Sequence, residues 1–596
     1  MKDREIPETS THDVSTFDII IDGQVIDQAY QVMSISVGKE INKIPTARIV
    51  LRDGDAAEET FQISEQENFI PGKSIAIKIG KDRDNEQVFQ GLIIKHGIKI
   101  KENGETQLTL DCRDAAVKMT LGRHNFYYEE RTDSEIMEEI ISRYQNLSSN
   151  VQSTSITHLE MVQYHVTDWD FMLMRAEANA QLVFVNDGEI NIAPPQTNNE
   201  PEIGVLYGST LIDFEAEMDG RNQWKSVEAK SWDYGGQDMF ESSTESVNID
   251  ELGNVAGQTL ANEFSPEKFE LRHSGQVIAE ELENWATSTL QISRLSKIRG
   301  RAKFRGYTPI KPGHMIDLQG LGTRFTGKAF VSGVKQIVQN GSWQTQVQFG
   351  LSPECFAKKY HDIISPPAGG LIPAIQGLQI GKVVQLQDDP EGENRILVRL
   401  PIVDNSAPGI WARIATLDAG VAADGVAGRG SFFLPEIEDE VIVGFINDDP
   451  REAIVLGMLH SSTKPAPYEA QDTNFEKGFT TKSGMRLLFN DETKTIIVDT
   501  PAGNSIILDE DTTSITVTDQ NDNVLKMESS GIQMNSPGDI TIEASGNLNL
   551  KAGMDVATQG VNIAMQAQAT MEIKGASTSV SADGITEVKG SIVNIN

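Results

Sequence analysis

"GDITIEASGNLNLKAGMDVATQGVNIAMQA", residues Gly538–Ala567, alternates apolar and polar side chains, meets a glycine, and starts again. Strict alternation is the signature of a half-buried strand. Gly531, Gly538, Gly546, Gly553 and Gly560 set a step of seven or eight residues. That step holds one strand and one corner, and no coil with an interior of its own. So short a strand cannot bury its apolar face alone and must stack on others. The stretch therefore reads as a β-solenoid in which three chains wind around one apolar axis. Upstream, from Gly484, "MRLLFN", "TIIVDT", "SIILDE", "SITVTD" and "VLKMES" recur between the turn-formers "DETK", "PAGN", "DTT" and "QNDN". The step shortens and the inward residues shrink along this region, so the rod narrows. About a dozen strands at about 4.8 Å each give a rod on the order of 60 Å. Residues 484–596 are assigned to this needle, preceded by a linker at 462–483.

Working back from the needle, "IGKVVQLQDDPEGENRILVRLPI" (Ile380–Ile402) places two strands around a turn at Asp389-Pro390-Glu391-Gly392. "GIWARIATL", "GSFFLPEIEDEVIVGFI" and "AIVLGML" supply more strands. Five short strands in so little chain predict a small closed barrel of the OB type over 379–461. The Pro/Gly-rich "SPPAGGLIPAIQG" (Ser365–Gly377) makes 365–378 a linker.

The first 360 residues contain an internal repeat. "FIPGKSIAIKIG" (Phe69–Gly80) matches "PIKPGHMIDLQG" (Pro309–Gly320), and "VFQGLIIKHGIKI" (Val88–Ile100) matches "RFTGKAFVSGVKQI" (Arg324–Ile337). "NGETQLTLDC" (Asn103–Cys112) then matches "NGSWQTQVQFG" (Asn340–Gly350). Three blocks in one order at near-constant offset mark a duplication. Their alternation and Pro-Gly and Asn-Gly turns predict two related β-barrels, over 1–125 and 201–364. Between them, 126–200 reads as a small α/β insertion. "TDSEIMEEIISRYQNL" has helical spacing behind a Thr132/Glu135 capping box. "VTDWDFMLMRAEANA" is a second helix capped near Thr167 or Asp168, with Met172 and Met174 expected as core filling. "GQVIAEELENWATSTLQISR" (Gly275–Arg294) is a third helix, expected to pack on the second barrel.

Composition bounds the function. A chain of 596 residues exceeds one core and implies three to five domains. Its 51 Lys and Arg against 87 Asp and Glu leave a net charge of −36, which disfavours nucleic acid and anionic membranes as partners. Cys112 and Cys355 make neither a metal pattern nor a disulfide framework. No apolar run is long enough to cross a membrane as a helix. The start, "MKDREIPETSTHDVS", lacks the apolar core of a signal peptide. Synthesis in the cytoplasm and export by another route are expected.

"LPEIEDEVIVGFINDDPREAIVLGML" (Leu434–Leu459), within the barrel segment, resembles the OB domain of VgrG spike proteins. "TTKSGMRLLFNDETKTIIVDTPAGNSIILDED" resembles the start of their needle, and the first 360 residues, including "VTDWDFMLMRAEA", resemble the phage base-plate hub. The resemblance implies a homotrimer at the tip of a contractile injection system: type VI secretion, a phage tail or a phage-tail-like particle. It also implies a hexameric inner tube, baseplate proteins and effector cargo as partners, and expulsion from the cell on contraction. Two barrels per chain in three chains would present a six-fold face to such a tube.

Chemistry is not legible. His460 to Gly484 is too short for an inserted enzyme, and the needle runs to the last residue. "PGKS" (Pro71–Ser74) lacks the P-loop's first glycine, since Glu67 stands there, and its repeat copy is "PGHM". It reads as a turn. The acidic pairs Asp388/Asp389 and Asp448/Asp449 fall in turns, and neither HExxH nor GxSxG occurs. No catalytic residue, cofactor or metal is expected. With no histidine or cysteine after His460, a self-made metal tip is not expected either. The end "GSIVNIN" leaves Ile592, Val593, Ile595 and Asn596 to meet a small conical PAAR-like cap. Two other classes of protein also end in such a solenoid. A trimeric receptor-binding fibre leaves the duplicated hub and OB segment unexplained. A solenoid polysaccharide lyase needs a longer single-chain coil.

Overall fold

The computed structural model describes residues 15–423 and 425–595. The reading of the chain start and of Asn596 lies outside them. The chain is mainly β and falls into two compact units. The first runs to Ile437 and includes Ile442–Leu456; the second takes Glu438–Val441 and the described residues from Gly457 on.

The duplication is visible strand by strand. The first copy comprises β1 (Ser15–Ile21), β2 (Val32–Glu40), β3 (Thr46–Arg52), β4 (Ser74–Lys81), β5 (Asp84–Ile100) and β6 (Thr106–Arg113). The insertion begins with β7 (His124–Thr132), α1 (Asp133–Ser142), β8 (Thr157–Val166) and α2 (Asp168–Ala178). The second copy comprises β9 (Ile203–Leu206), β10 (Leu211–Met218), β11 (Ile298–Arg305), β12 (Met315–Gln319), β13 (Gly327–Gln339) and β14 (Ser342–Phe349). Hydrogen bonding orders the first as β2-β3-β6-β5-β4-β1 and the second as β10-β11-β14-β13-β12-β9. The outermost strand differs: β1 runs antiparallel to β4, whereas β9 runs parallel to β12.

The two copies do not stand apart. β13 pairs with β2 from Gly333↔Glu40 to Gln339↔Ser34, making one 13-stranded sheet. The cores interlock as well: Val338 and Trp343 of the second copy are buried with Ile35, Ile49 and Leu110 of the first. "PGKS" is the expected turn. Gly72 (φ +99°) and its counterpart Gly313 (φ +90°) both sit in the left-handed region that favours glycine. Each donates its N–H to the neighbouring long strand, to Ile93 and Val331 respectively, at 2.8 Å.

In the insertion Thr132 accepts from Glu135 N–H while Glu135 caps back on Thr132, and Thr167 caps α2 through Asp170 N–H. Met172 is fully buried, but Met174 points to solvent, because only the former lies on the face of α2 that meets α1. The helix Ala279–Leu295 is present, yet it covers a different sheet from the one expected. Leu282, Ala286 and Leu290, four residues apart, pack on Val227 and Ala229 of a three-stranded sheet (Val227–Asp233, Asp238–Thr244, Phe269–His273). That sheet and the helix Gly257–Phe264 interrupt the second copy between β10 and β11.

The expected five-stranded barrel is closed: β15 (Gln379–Gln385), β16 (Ile396–Arg399), β17 (Ile410–Ile414), β18 (Glu440–Phe445) and β19 (Ala453–Met458), in the order β15-β16-β17-β19-β18. The Pro/Gly-rich segment before it is anchored rather than loose. Just ahead of it Arg123 donates to the carbonyls of Asp362 and Ile363 (2.5 and 2.6 Å), and within it Ala368 is buried and the Ile375 N–H donates to the Asp448 carbonyl at 3.0 Å.

A buried ion cluster ties the insertion to the helix Ala279–Leu295. Asp133, 1% exposed, accepts from Arg175 Nε at 2.6 Å, from His158 Nε2 at 2.9 Å and from Asn179 at 2.8 Å, and Arg175 also reaches Glu281 at 3.1 Å. Burial alone would raise the Asp133 carboxyl; the donors from His158, Arg175 and Asn179 outweigh it and hold the group well below the usual carboxylate range. Its folded pKa is thus depressed, so its contribution is present at neutral pH and fades as pH falls below about 4. Arg175→Ala leaves Asp133 buried without its guanidinium partner and is expected to cost about 3 kcal/mol. Thermal unfolding should show that loss at pH 7, and a weaker acid dependence in the variant.

Candidate functional site

The second unit carries the surface that asks for a partner. Its first half is β20 (Glu476–Thr480), β21 (Arg486–Asn490), β22 (Thr495–Asp499), β23 (Ser505–Asp509), β24 (Ser514–Thr518), β25 (Val524–Glu528) and β26 (Gly531–Asn535). These seven strands form an antiparallel meander in chain order. The reading of this region as part of an interwound needle is corrected here, since its strands pair within one chain: a repeat of about ten residues is long enough for a strand and a tight turn back.

The register sets two long apolar rows on one face, while the other face carries the shorter row Leu488–Ile497–Ile507. One row runs Phe479–Leu487–Val498–Ile506–Val517–Leu525–Met534, each residue opposite the next. A second runs Phe489–Ile496–Leu508–Ile515–Met527–Ile532. Most of these side chains remain half-exposed or exposed. A monomeric surface seldom leaves so long an apolar stripe uncovered.

After Asn535 the strands stop. Among the described residues from 536 to 595 none is in a strand, and from 537 on every one is exposed, including Ile540, Leu548, Val561, Ile573 and Ile585. The continuous strands read from the alternation are therefore absent in the isolated chain. A strand exists through its ladder, and a seven-residue step is too short to turn back and supply one. Of the tip residues, Ile592 is 82%, Val593 47% and Ile595 87% exposed.

In the first unit the polar face of the 13-stranded sheet carries a charge ladder at its β10 edge. Asp213, Glu215 and Glu217 lie opposite Lys303, Arg301 and Arg299 and pair with them at 3.7, 2.7 and 2.9 Å. The sequence reading missed these carboxylates; the alternating "LIDFEAEM" is the signal that could have shown them.

The acidic pairs close turns. Asp389 accepts from the N–H groups of Glu391, Glu393 and Arg395 and binds the Arg395 guanidinium at 2.7 Å, which holds its carboxyl well below the usual range. Asp449 accepts from Arg451 N–H and guanidinium, lowering it to about 2. Among the described residues no group of three or more His, Cys, Asp or Glu could hold a metal ion, and no helix is long and apolar enough to cross a membrane. The two cysteines are free.

Comparison with known proteins places these features. Residues 379–460 match the Type VI secretion system/phage-baseplate injector OB domain. The chain is similar to the Type VI secretion system spike protein VgrG1b of Pseudomonas aeruginosa, 24% identical over 206 residues, 32% of this chain and 26% of that one. It is also similar to the spike protein VgrG3 of Vibrio cholerae, 32% identical over 111 residues, 17% of this chain and 10% of that one. It thus spans about a quarter or less of these relatives. Among solved structures it is similar to a prophage MuSo2 tail protein from Shewanella oneidensis (TM-score 0.44, 9% identity, 57% of this chain and 98% of that one). It is similar too to the E. coli c3393 protein, a component of the type VI secretion system (TM-score 0.36, 12% identity, 74% and 99%). The VgrG-type resemblance read from Leu434–Leu459 is met by these spike relatives. A model of the Alg8 N-terminal domain matches residues 11–340, more than half of the chain, and the chain belongs to that family.

Burial pushes the Cys112 thiol up to about 12, with Asp111 adding to the effect, while Cys355 is partly exposed. Thiolate is the reactive form. Iodoacetamide at pH 8 should therefore label Cys355 and spare Cys112 in the native protein, as read by peptide mass mapping.

Proposed function

We propose that the chain is the hub and spike of a contractile injection system, working as a homotrimer without enzymatic activity. The observation that carries this reading is the run of exposed apolar side chains from Ile540 to Ile595, which no strand of its own chain covers among the described residues. Three such segments wound together would bury that face and complete the ladders, leaving strand edges only at the ends. The injector-type OB match and the spike relatives support the setting. The duplicated module supports the adaptor role, because three chains would offer six related modules to a hexameric tube. Contraction would supply the force, and the closed rod would transmit it into the target membrane.

At the tip, Ile592, Val593 and Ile595 would meet a separate PAAR-like cap by strand addition on a three-fold face. Baseplate proteins and effector cargo complete the expected partners. The protein would be made in the cytoplasm and expelled on contraction.

Light scattering should give about three times 65.4 kDa; a folded monomer overturns the reading. Limited proteolysis should cut within Ser462–Lys477 and spare Gly484–Asn596, with early cleavage in the last hundred residues counting against an interwound needle. Deleting Gly590–Asn596 should abolish cap binding and leave the trimer's mass intact. Retained cap binding by the truncated trimer would remove the tip assignment.

A further inference from the structure

We propose that the polar face of the 13-stranded sheet carries a binding trough for an extended acidic polypeptide segment, gripped by Lys335, Arg113 and Arg48. The inference goes beyond the spike reading and does not depend on it.

Register places the three bases. Across the ladder Lys335 of β13 faces Gly38 of β2, Gly38 faces Thr46 of β3, and Thr46 faces Arg113 of β6. In the next row Ser36 faces Arg48, and Arg48 faces Asp111. Residues opposite one another in a ladder share a face of the sheet. Lys335 and Arg113 thus stand three strand spacings apart, about 14 Å, with only a glycine and a threonine between them. Ser36, Gly38 and Thr46 floor a trough of about 400 Å³, walled by the long basic side chains. Arg52 and Lys95, both exposed, extend the same face.

This gathering of positive charge runs against the chain's net charge of −36. The trough's own carboxylates, Glu40 and Asp111, do not neutralise it. Glu40 is paired with Lys43, and Asp111 lies 3.6 Å from Arg48, too far for a hydrogen bond. Arg113 donates one N–H to the Cys112 carbonyl at 3.1 Å. Neither Arg113 nor Lys335 makes an ion pair among the described residues. Like charges held on one face repel, and an incoming anion relieves that repulsion.

Guanidinium forks match carboxylates and phosphates alike, so charge alone does not choose the anion. Two observations select a polypeptide over a nucleic acid. The residues lining the trough include no aromatic ring on which a base could stack. The row through Lys335 also continues by way of Gln346 and Lys303 to Asp213, where the carboxylate ladder at the β10 edge would repel a long polyanion and spare a short one. The spacing along the strands favours an extended segment. The Lys335–Arg113 row and the Arg48 row are two residues apart, about 6.8 Å. Alternate side chains of an extended peptide keep that same spacing. One carboxylate would sit between Lys335 and Arg113, and the next on that side would meet Arg48.

The test is fluorescence anisotropy of a labelled eight-residue peptide of alternating glutamate and threonine, titrated with the full-length protein. The unmodified protein should bind it, and added salt should weaken the binding. Combining Lys335→Gln, Arg113→Gln and Arg48→Gln should weaken it at least about tenfold, whereas Arg272→Gln, on the separate three-stranded sheet, should stay within about twofold. A peptide with the same residues in two blocks should bind at least about threefold more weakly, since it cannot reach both rows. Lysine acylation of the unmodified protein covers the case of a misfolded variant: saturating peptide should slow the reaction of Lys335 and leave that of Lys494 unchanged. Absence of binding, equal binding by the triple variant or of the block peptide, an unprotected Lys335, or tighter binding of an oligothymidylate of equal charge would each overturn the trough. None of these results bears on the trimer's mass, so the spike reading is tested separately.

Discussion

A backbone N–H or C=O that leaves water must find a hydrogen-bond partner, and in a chain built of strands that requirement falls on edges. Every large feature of this protein is an answer to it. The OB segment answers by closing five strands into a barrel. The duplicated modules answer by sharing a ladder between β13 and β2. The meander β20–β26 answers with tight turns that bring each strand back beside the last. Residues 537–595 form no ladder within one chain, and their apolar side chains stay in water.

Side-chain chemistry serves the same end. The acidic residues that draw attention in the sequence are turn and junction pieces. Asp389 gathers three backbone N–H groups and Arg395, and Asp449 clasps Arg451. Asp133 is held by Arg175, His158 and Asn179 where three elements meet. Each carboxylate is held below its ordinary range by donors aimed at it, which suits a bracket and removes the basicity a proton acceptor would need.

What the sequence disclosed follows from locality. Alternation, turn residues and caps act over a few positions, so the repeat, the Thr132 and Thr167 caps, the "PGKS" turn and the five-stranded barrel were all legible. What it hid depends on distant partners. Nothing near Ile35 announces that Val338 joins its core, and nothing in "GQVIAEELENWATSTLQISR" says which sheet Leu282 and Ala286 will cover. The meander was misjudged for a related reason: alternation reports that a strand has a buried face but not which chain supplies its neighbour. Met174 failed on a finer scale, since helical spacing puts it one step off the buried stripe that holds Met172.

The meander and the segment after it also differ in how they can form. Consecutive strands joined by tight turns have contacts close in sequence, and such low contact order favours fast folding from a single molecule. The described residues beyond Asn535 have no strand ladder to nucleate on. In the trimer proposed above, their ordering would be a reaction between molecules, with a rate that depends on concentration even after the rest of each chain is folded. A nascent copy would carry a finished sheet with an unfinished, sticky tail, and the interval between those states is when the protein is most exposed to aggregation and to proteases.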